Sequence, residues 1–135
     1  MMPAAVILGM ALALPAGAAP SGGSWSDTAA GGSTRTGKQI VRGRALSSPS
    51  AIPASAKVTR ISWRITLLAP PPPGLEIKLC RRDRCLRLPS LVGQRSITFP
   101  LSATGEFRFI YTVNKRGPLR PALNVVNQQL IVNYR

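Results

Sequence analysis

Histidine is absent from this 135-residue chain, and acidic residues nearly so: 4 Asp and Glu stand against 18 Lys and Arg, a formal net charge of +14. Without histidine no Ser-His or Cys-His nucleophile pair can form. Two cysteines and no histidine also fall short of the four N/S ligands of a structural zinc site. The carboxylates Asp27, Glu76, Asp83 and Glu106 are scattered, and most stand within two positions of Arg or Lys. That setting suits a salt-bridged surface rather than a general acid. No phosphate-cradling glycine loop occurs. The chain therefore reads as a non-enzyme with no metal and no cofactor.

Long apolar runs are also scarce. The one that stands out is Val6–Leu14, uncharged, followed by Pro15 and the small residues Ala16-Gly17-Ala18. This is the h-region and A-x-A cleavage pattern of a secretory signal peptide. The run is too short for a membrane span, which needs about 20 residues. Residues 1–18 are expected to be the signal peptide, because cutting after Ala19 would leave Pro20 at the new N-terminus. No Lys or Arg precedes the run, which points to a start codon upstream of Met1. The competing reading is a buried apolar strand or an interfacial helix. No other stretch is apolar for long enough to cross a bilayer, so no transmembrane span is expected.

What the chain does have is basic charge, spread along its length. Such a surface attracts polyanions: nucleic acid, lipid head groups, anionic cell-wall polymer or an acidic protein face. Export makes nucleic acid the least fitting of these, and no nucleic-acid partner is expected. A solvated basic surface from an arginine-biased proteome is the plain alternative.

The two cysteines lie in Leu79-Cys80-Arg81-Arg82-Asp83-Arg84-Cys85-Leu86. Strand-like runs flank them, Leu75–Leu79 before and Leu86–Leu88 after. Strand, four-residue polar loop and returning strand make a β-hairpin. Cys80 and Cys85 would face each other across it, and a disulfide closes if their Cβ atoms come within about 4 Å. In an exported protein one disulfide is the simplest reading. A redox role is the alternative, although the spacing is wider than C-x-x-C.

Residues 19–37 are rich in Gly, Ser, Ala and Thr and read as a flexible arm, with Trp25 expected to dock on the domain. The domain proper is expected over 38–135. A weak strand is expected over 39–43. The clearest strand is 58–68, with Ile61, Trp63, Ile65 and Leu67 on one face and Arg60, Ser62, Arg64 and Thr66 on the other. Pro70–Pro73 and Gly74 end it as a stiff connection; a docking site for a proline-reading domain is the alternative. Further strands are expected over 95–101, 107–113, 123–126 and 130–134, the last two separated by Asn127-Gln128-Gln129. No helical period appears after residue 37. The fold expected is all-β, a small antiparallel β-sandwich of seven or eight strands.

Several local patterns occur in a definite order. Trp25-Ser26-Asp27 and Arg42-Gly43 are followed by Ile61-Ser62-Trp63-Arg64 and Pro71-Pro72-Pro73-Gly74-Leu75. Leu79-Cys80, Arg84-Cys85-Leu86, Phe107-Arg108-Phe109 and Pro121-Ala122-Leu123 come next, and the chain ends in Val132-Asn133-Tyr134-Arg135. This order resembles the flagellar protein FlhE family. The resemblance implies a small periplasmic accessory protein of Gram-negative bacteria, tied to the flagellar type III export genes. It implies partners in the export gate or basal body, and a role in limiting proton leakage or in chaperone-like assembly. The residues expected to meet a partner are Arg81, Arg82, Arg84 and Arg87 at the hairpin, with Tyr134 and Arg135 at an exposed C-terminus. The alternative is a cationic envelope protein that binds anionic cell-surface polymer through the same arginines.

Overall fold

The computed structural model describes residues 22–135. The expected signal peptide lies outside the described residues. Within them are ten strands and no helix: β1 (Gly23–Ala29), β2 (Gly32–Thr36), β3 (Val41–Arg42), β4 (Leu46–Ser47), β5 (Val58–Leu67), β6 (Leu75–Arg81), β7 (Arg84–Leu88), β8 (Val92–Ser96), β9 (Glu106–Val113) and β10 (Pro118–Tyr134). They form two antiparallel sheets. In the first, β1 and β2 share one side of β10, and β5 then β8 lie on its other side. In the second, β3 and β4 share one side of β9, and β6 then β7 lie beyond it.

Alternation explains which faces meet. Ile61, Trp63 and Ile65 of β5 are buried, as are Phe107, Phe109, Tyr111 and Val113 of β9 and Ile77 and Leu79 of β6. A period of two places every such residue on one face of its strand, and the two apolar faces pack into one core. The Trp63 indole donates to the Ser90 carbonyl at 2.8 Å, which satisfies its buried N–H.

The sandwich has more strands than the sequence suggested, and the difference lies mostly at the N-terminus. Residues 23–36 are not a flexible arm. β1 runs antiparallel to β10 from Gly23 opposite Tyr134 to Ala29 opposite Gln128, and β2 continues beside residues 118–125. The chain then turns at Gly37 and returns along β9 as β3 and β4. Residues 23–47 thus form a U whose arms edge the two sheets and close one side of the sandwich. Trp25 docks as expected: it is buried against Phe107 and its indole donates to the Ala103 carbonyl at 2.8 Å. Gly, Ser and Thr suit this edge because the partner strand supplies the hydrogen bonds, so the segment needs few apolar anchors. Asp27 ties the two arms together by accepting from the Ser47 backbone N–H at 3.0 Å.

The last strand is also longer than expected. Residues 118–134 are one strand, with an irregularity between Val125 and Asn127 in its pairing with β5. Leu119, Leu123 and Val125 point inward before it; Gln128, Leu130 and Val132 point inward after it. One extra residue reverses the parity of a strand, which is what a β-bulge does. The polar triplet 127–129 is therefore not a break between strands. The facing U is interrupted at Ala30-Gly31, opposite the bulge. Gly31 donates to the Val125 carbonyl at 3.0 Å, and a Cβ there would come within 2.1 Å of the Val125 side chain.

Gln128 fills the space this interruption leaves, and it is fully buried. Its Nε2 donates to the Arg44 carbonyl at 2.9 Å, and its Oε1 accepts from the Tyr111 hydroxyl at 2.6 Å. A backbone carbonyl left out of the ladder thereby gains a donor. Burial raises the Tyr111 pKa above its ordinary value, so the phenol stays a proton donor.

Candidate functional site

The hairpin of β6 and β7 is tighter than expected. Arg81 pairs with Arg84, so the turn is the two residues Arg82-Asp83 rather than four. Arg82 takes a left-handed conformation with φ of 57°, as two-residue hairpin turns require. Cys80 lies directly opposite Cys85 with Cα atoms 4.0 Å apart, and the two are joined in a disulfide. A bond closing so short a loop contributes only about 2 kcal/mol in the chain-entropy model. Cys80→Ser with Cys85→Ser should accordingly lower stability by about 2 kcal/mol in urea unfolding and leave the protein folded; an unfolded double variant would show that the disulfide holds more than the hairpin.

Two of the three tip arginines are engaged by the molecule itself. Arg81 is half-buried, and its Nε donates to the Thr104 carbonyl at 2.6 Å. Its guanidinium passes over Gly105, where a Cβ would sit 3.1 Å from Nη2, and Gly105 has a φ of +97°. Burial, and then the charge of Arg82, lower the pKa of Arg81 from its ordinary value. Arg84 lies over the Phe99 ring at 5.1 Å, a cation–π contact. The hairpin tip is thus docked on the 97–105 loop. Arg82 is exposed. Arg87 is exposed and pairs with Glu76 at 3.2 Å, a weak link in water.

The C-terminal residues are held, not loose. The Tyr134 ring covers Gly23, where a Cβ would come 2.6 Å from the phenol oxygen. Arg135 exchanges backbone hydrogen bonds with Lys57, both at 3.0 Å. These residues end the sandwich on the side where β6 meets its turn, so the structure gathers Arg81, Arg82, Arg84, Tyr134 and Arg135 at one end. Arg87 stands farther along the outer face of β7.

Two arginines not expected at the site join it. Arg42 of β3 and Arg108 of β9 line a groove of about 430 Å³ with Arg81 and Arg82, over a floor containing Cys80, Gly105 and Ile110. Arg108 donates to the Gly43 carbonyl at 2.7 Å. Alternation alone puts Arg108 and Arg42 on outward faces. Their meeting with the hairpin depends on the pairing of β3, β9 and β6, which sequence spacing does not encode. Among the described residues no group of three or more Cys, Asp or Glu is placed to hold a metal ion.

The family model for flagellar protein FlhE matches residues 33–135. The chain belongs to the FlhE family. It is similar to FlhE of Yersinia enterocolitica, at 40% identity over 104 residues, which covers 72% of this chain and 74% of that protein. FlhE of Escherichia coli K12 is 39% identical over 83 residues, 62% of this chain and 64% of that one. A crystal structure of FlhE superposes with a TM-score of 0.76 at 32% identity, covering 86% of this chain and 99% of the other. The FlhE fold is therefore the all-β sandwich described above. The matched segment begins within β2, so Trp25 and the strand that carries it precede it. The disulfide fits an exported FlhE protein. Among the described residues no helix is long and apolar enough to cross a membrane.

Proposed function

We propose that this chain is a non-enzymatic accessory protein that acts in the periplasm, at the flagellar type III export apparatus or basal body. The observation that carries this reading is membership of a flagellar protein family over most of the chain. Supporting it are the disulfide, which suits an oxidising compartment, and the arginine-rich end, which offers a fixed charged surface to a partner. The role takes one of two forms: limiting proton leakage through the export apparatus, or assisting assembly as a chaperone would. Deletion of the gene separates them. Leakage control predicts a fall in cytoplasmic pH when the export gate is open, with flagella still assembled. An assembly role predicts fewer completed basal bodies at normal pH. A deletion strain normal in both measurements would sink the proposal.

A second reading draws on the opposite end of the sandwich. Arg35, Lys38, Lys115, Arg116 and Arg120 are all exposed, and the turns that carry most of them adjoin through the Gly37 to Gly117 and Lys38 to Val113 backbone bonds. With basic charge at both ends, the molecule suits an anionic envelope polymer. Such binding should weaken steeply between low and physiological salt, since exposed charges are screened beyond about 10 Å at 0.1 M. Retention on purified lipopolysaccharide or cell wall that does not change with salt would exclude it.

A further inference from the structure

The groove beside the disulfide holds more guanidinium than the fold uses. Arg81 and Arg108 each direct one N–H to a backbone carbonyl, while a guanidinium carries five donors. Arg42 and Arg82 are exposed. One acid, Glu106, shares the groove. The only ion pair among the described residues is nevertheless Arg87 with Glu76, so Glu106 lies beyond 4 Å of all four groove guanidiniums. Unspent forked donors without a neutralising carboxylate favour binding of an anion.

The groove is also set before any ligand arrives. The Cys80–Cys85 bond fixes the register of the hairpin that carries Arg81 and Arg82. The Thr104 carbonyl holds Arg81 by its Nε, and the missing side chain at Gly105 leaves the room that this guanidinium occupies. Arg108 is fixed on the Gly43 carbonyl. A site whose side chains are already ordered loses less entropy on binding.

We propose that this groove recognises an acidic peptide segment of a protein partner. Carboxylates of the segment pair with Arg42, Arg82 and Arg108, and an apolar side chain rests on Ile110 and the disulfide. The mixed lining selects this occupant. The apolar floor gives a dense polyphosphate nothing to bind, whereas a peptide offers it an apolar side chain and offers Glu106 a backbone N–H to accept. The volume of about 430 Å³ lies in the range of ligand-sized pockets. The inference rests on the accessory-protein reading only in making the partner a protein. Its chemistry is tested on isolated protein, and that reading is tested in a deletion strain, so each fails separately.

The probe is a blocked hexapeptide of alternating glutamate and leucine, titrated calorimetrically into the purified, disulfide-intact protein at physiological salt. Arg42→Ala and Arg82→Ala should each weaken binding by about tenfold or more, the value of one charge-assisted hydrogen bond. Lys115→Ala and Arg116→Ala remove the same charge at the far end and should change it less than about twofold, since that end lies beyond a Debye length. A peptide with serine for glutamate should not bind. Equal losses at both ends would overturn the proposal, as would no binding of the acidic peptide. Tighter binding of inorganic pyrophosphate or of phosphatidylglycerol vesicles than of the peptide would also overturn it.

Discussion

Gln128→Leu should destabilise the protein by about 1–3 kcal/mol, because it orphans the buried Tyr111 hydroxyl. The leucine fills much of the volume but leaves the Tyr111 hydroxyl without its acceptor and the Arg44 carbonyl without its side-chain donor. The hydroxyl gains no water, since Tyr111 is fully buried. Urea unfolding gives the loss directly. The companion variant Gln128→Leu with Tyr111→Phe removes the orphaned phenol along with its acceptor. It should be less destabilised than the sum of the single changes by about 1–2 kcal/mol, a coupling of the size that contacting residues show. A Gln128→Leu protein as stable as the parent would mean that the buried network contributes nothing net.

Trp25→Ala should cost about 3–5 kcal/mol, the usual loss for a large buried aromatic truncated to alanine. The indole fills space against Phe107 and also supplies the donor for the Ala103 carbonyl. Its removal therefore empties the core at one edge and frees the 97–105 loop on which the hairpin tip rests. Thermal unfolding should show a lowered Tm with a single transition. A shift equivalent to less than about 1 kcal/mol would show that β1 is not part of the cooperative unit.

Both residues were only partly legible in the sequence, for the same physical reason. Trp25 was visible as an apolar residue in need of burial, but its strand was not. A Gly-Ser-Thr segment carries no alternating pattern when its stability comes from a neighbour's backbone. Gln128 looked like part of a polar gap because the parity of β10 reverses at Val126, and a strict period of two cannot be followed through a bulge. By contrast β9 and β5 from Ile61 onward were plain, since each holds one parity and buries one face. The disulfide was plain because the two cysteines sit symmetrically about a turn. At the site, Arg81, Arg82 and Arg84 were visible as a loop tip. That Arg81 and Arg84 are held by Thr104 and Phe99, and that Arg42 and Arg108 join them, depends on partners 15 to 65 positions away.

The placement of β10 has a consequence for the order of assembly. It lies between the U-shaped N-terminal ribbon and β5, and every strand of its sheet except β8 is hydrogen-bonded to it. A chain delivered from its N-terminus can pair β6, β7 and β9 as soon as residue 113 has emerged. β1 and β2 have no partner until residues 118–134 follow. β5 and β8 can pair earlier, but the first strands made must wait for the last, so the first sheet is completed only after the second can form. During vectorial delivery the chain would stay loose at its front until its rear had arrived, a state compatible with passage through a narrow pore.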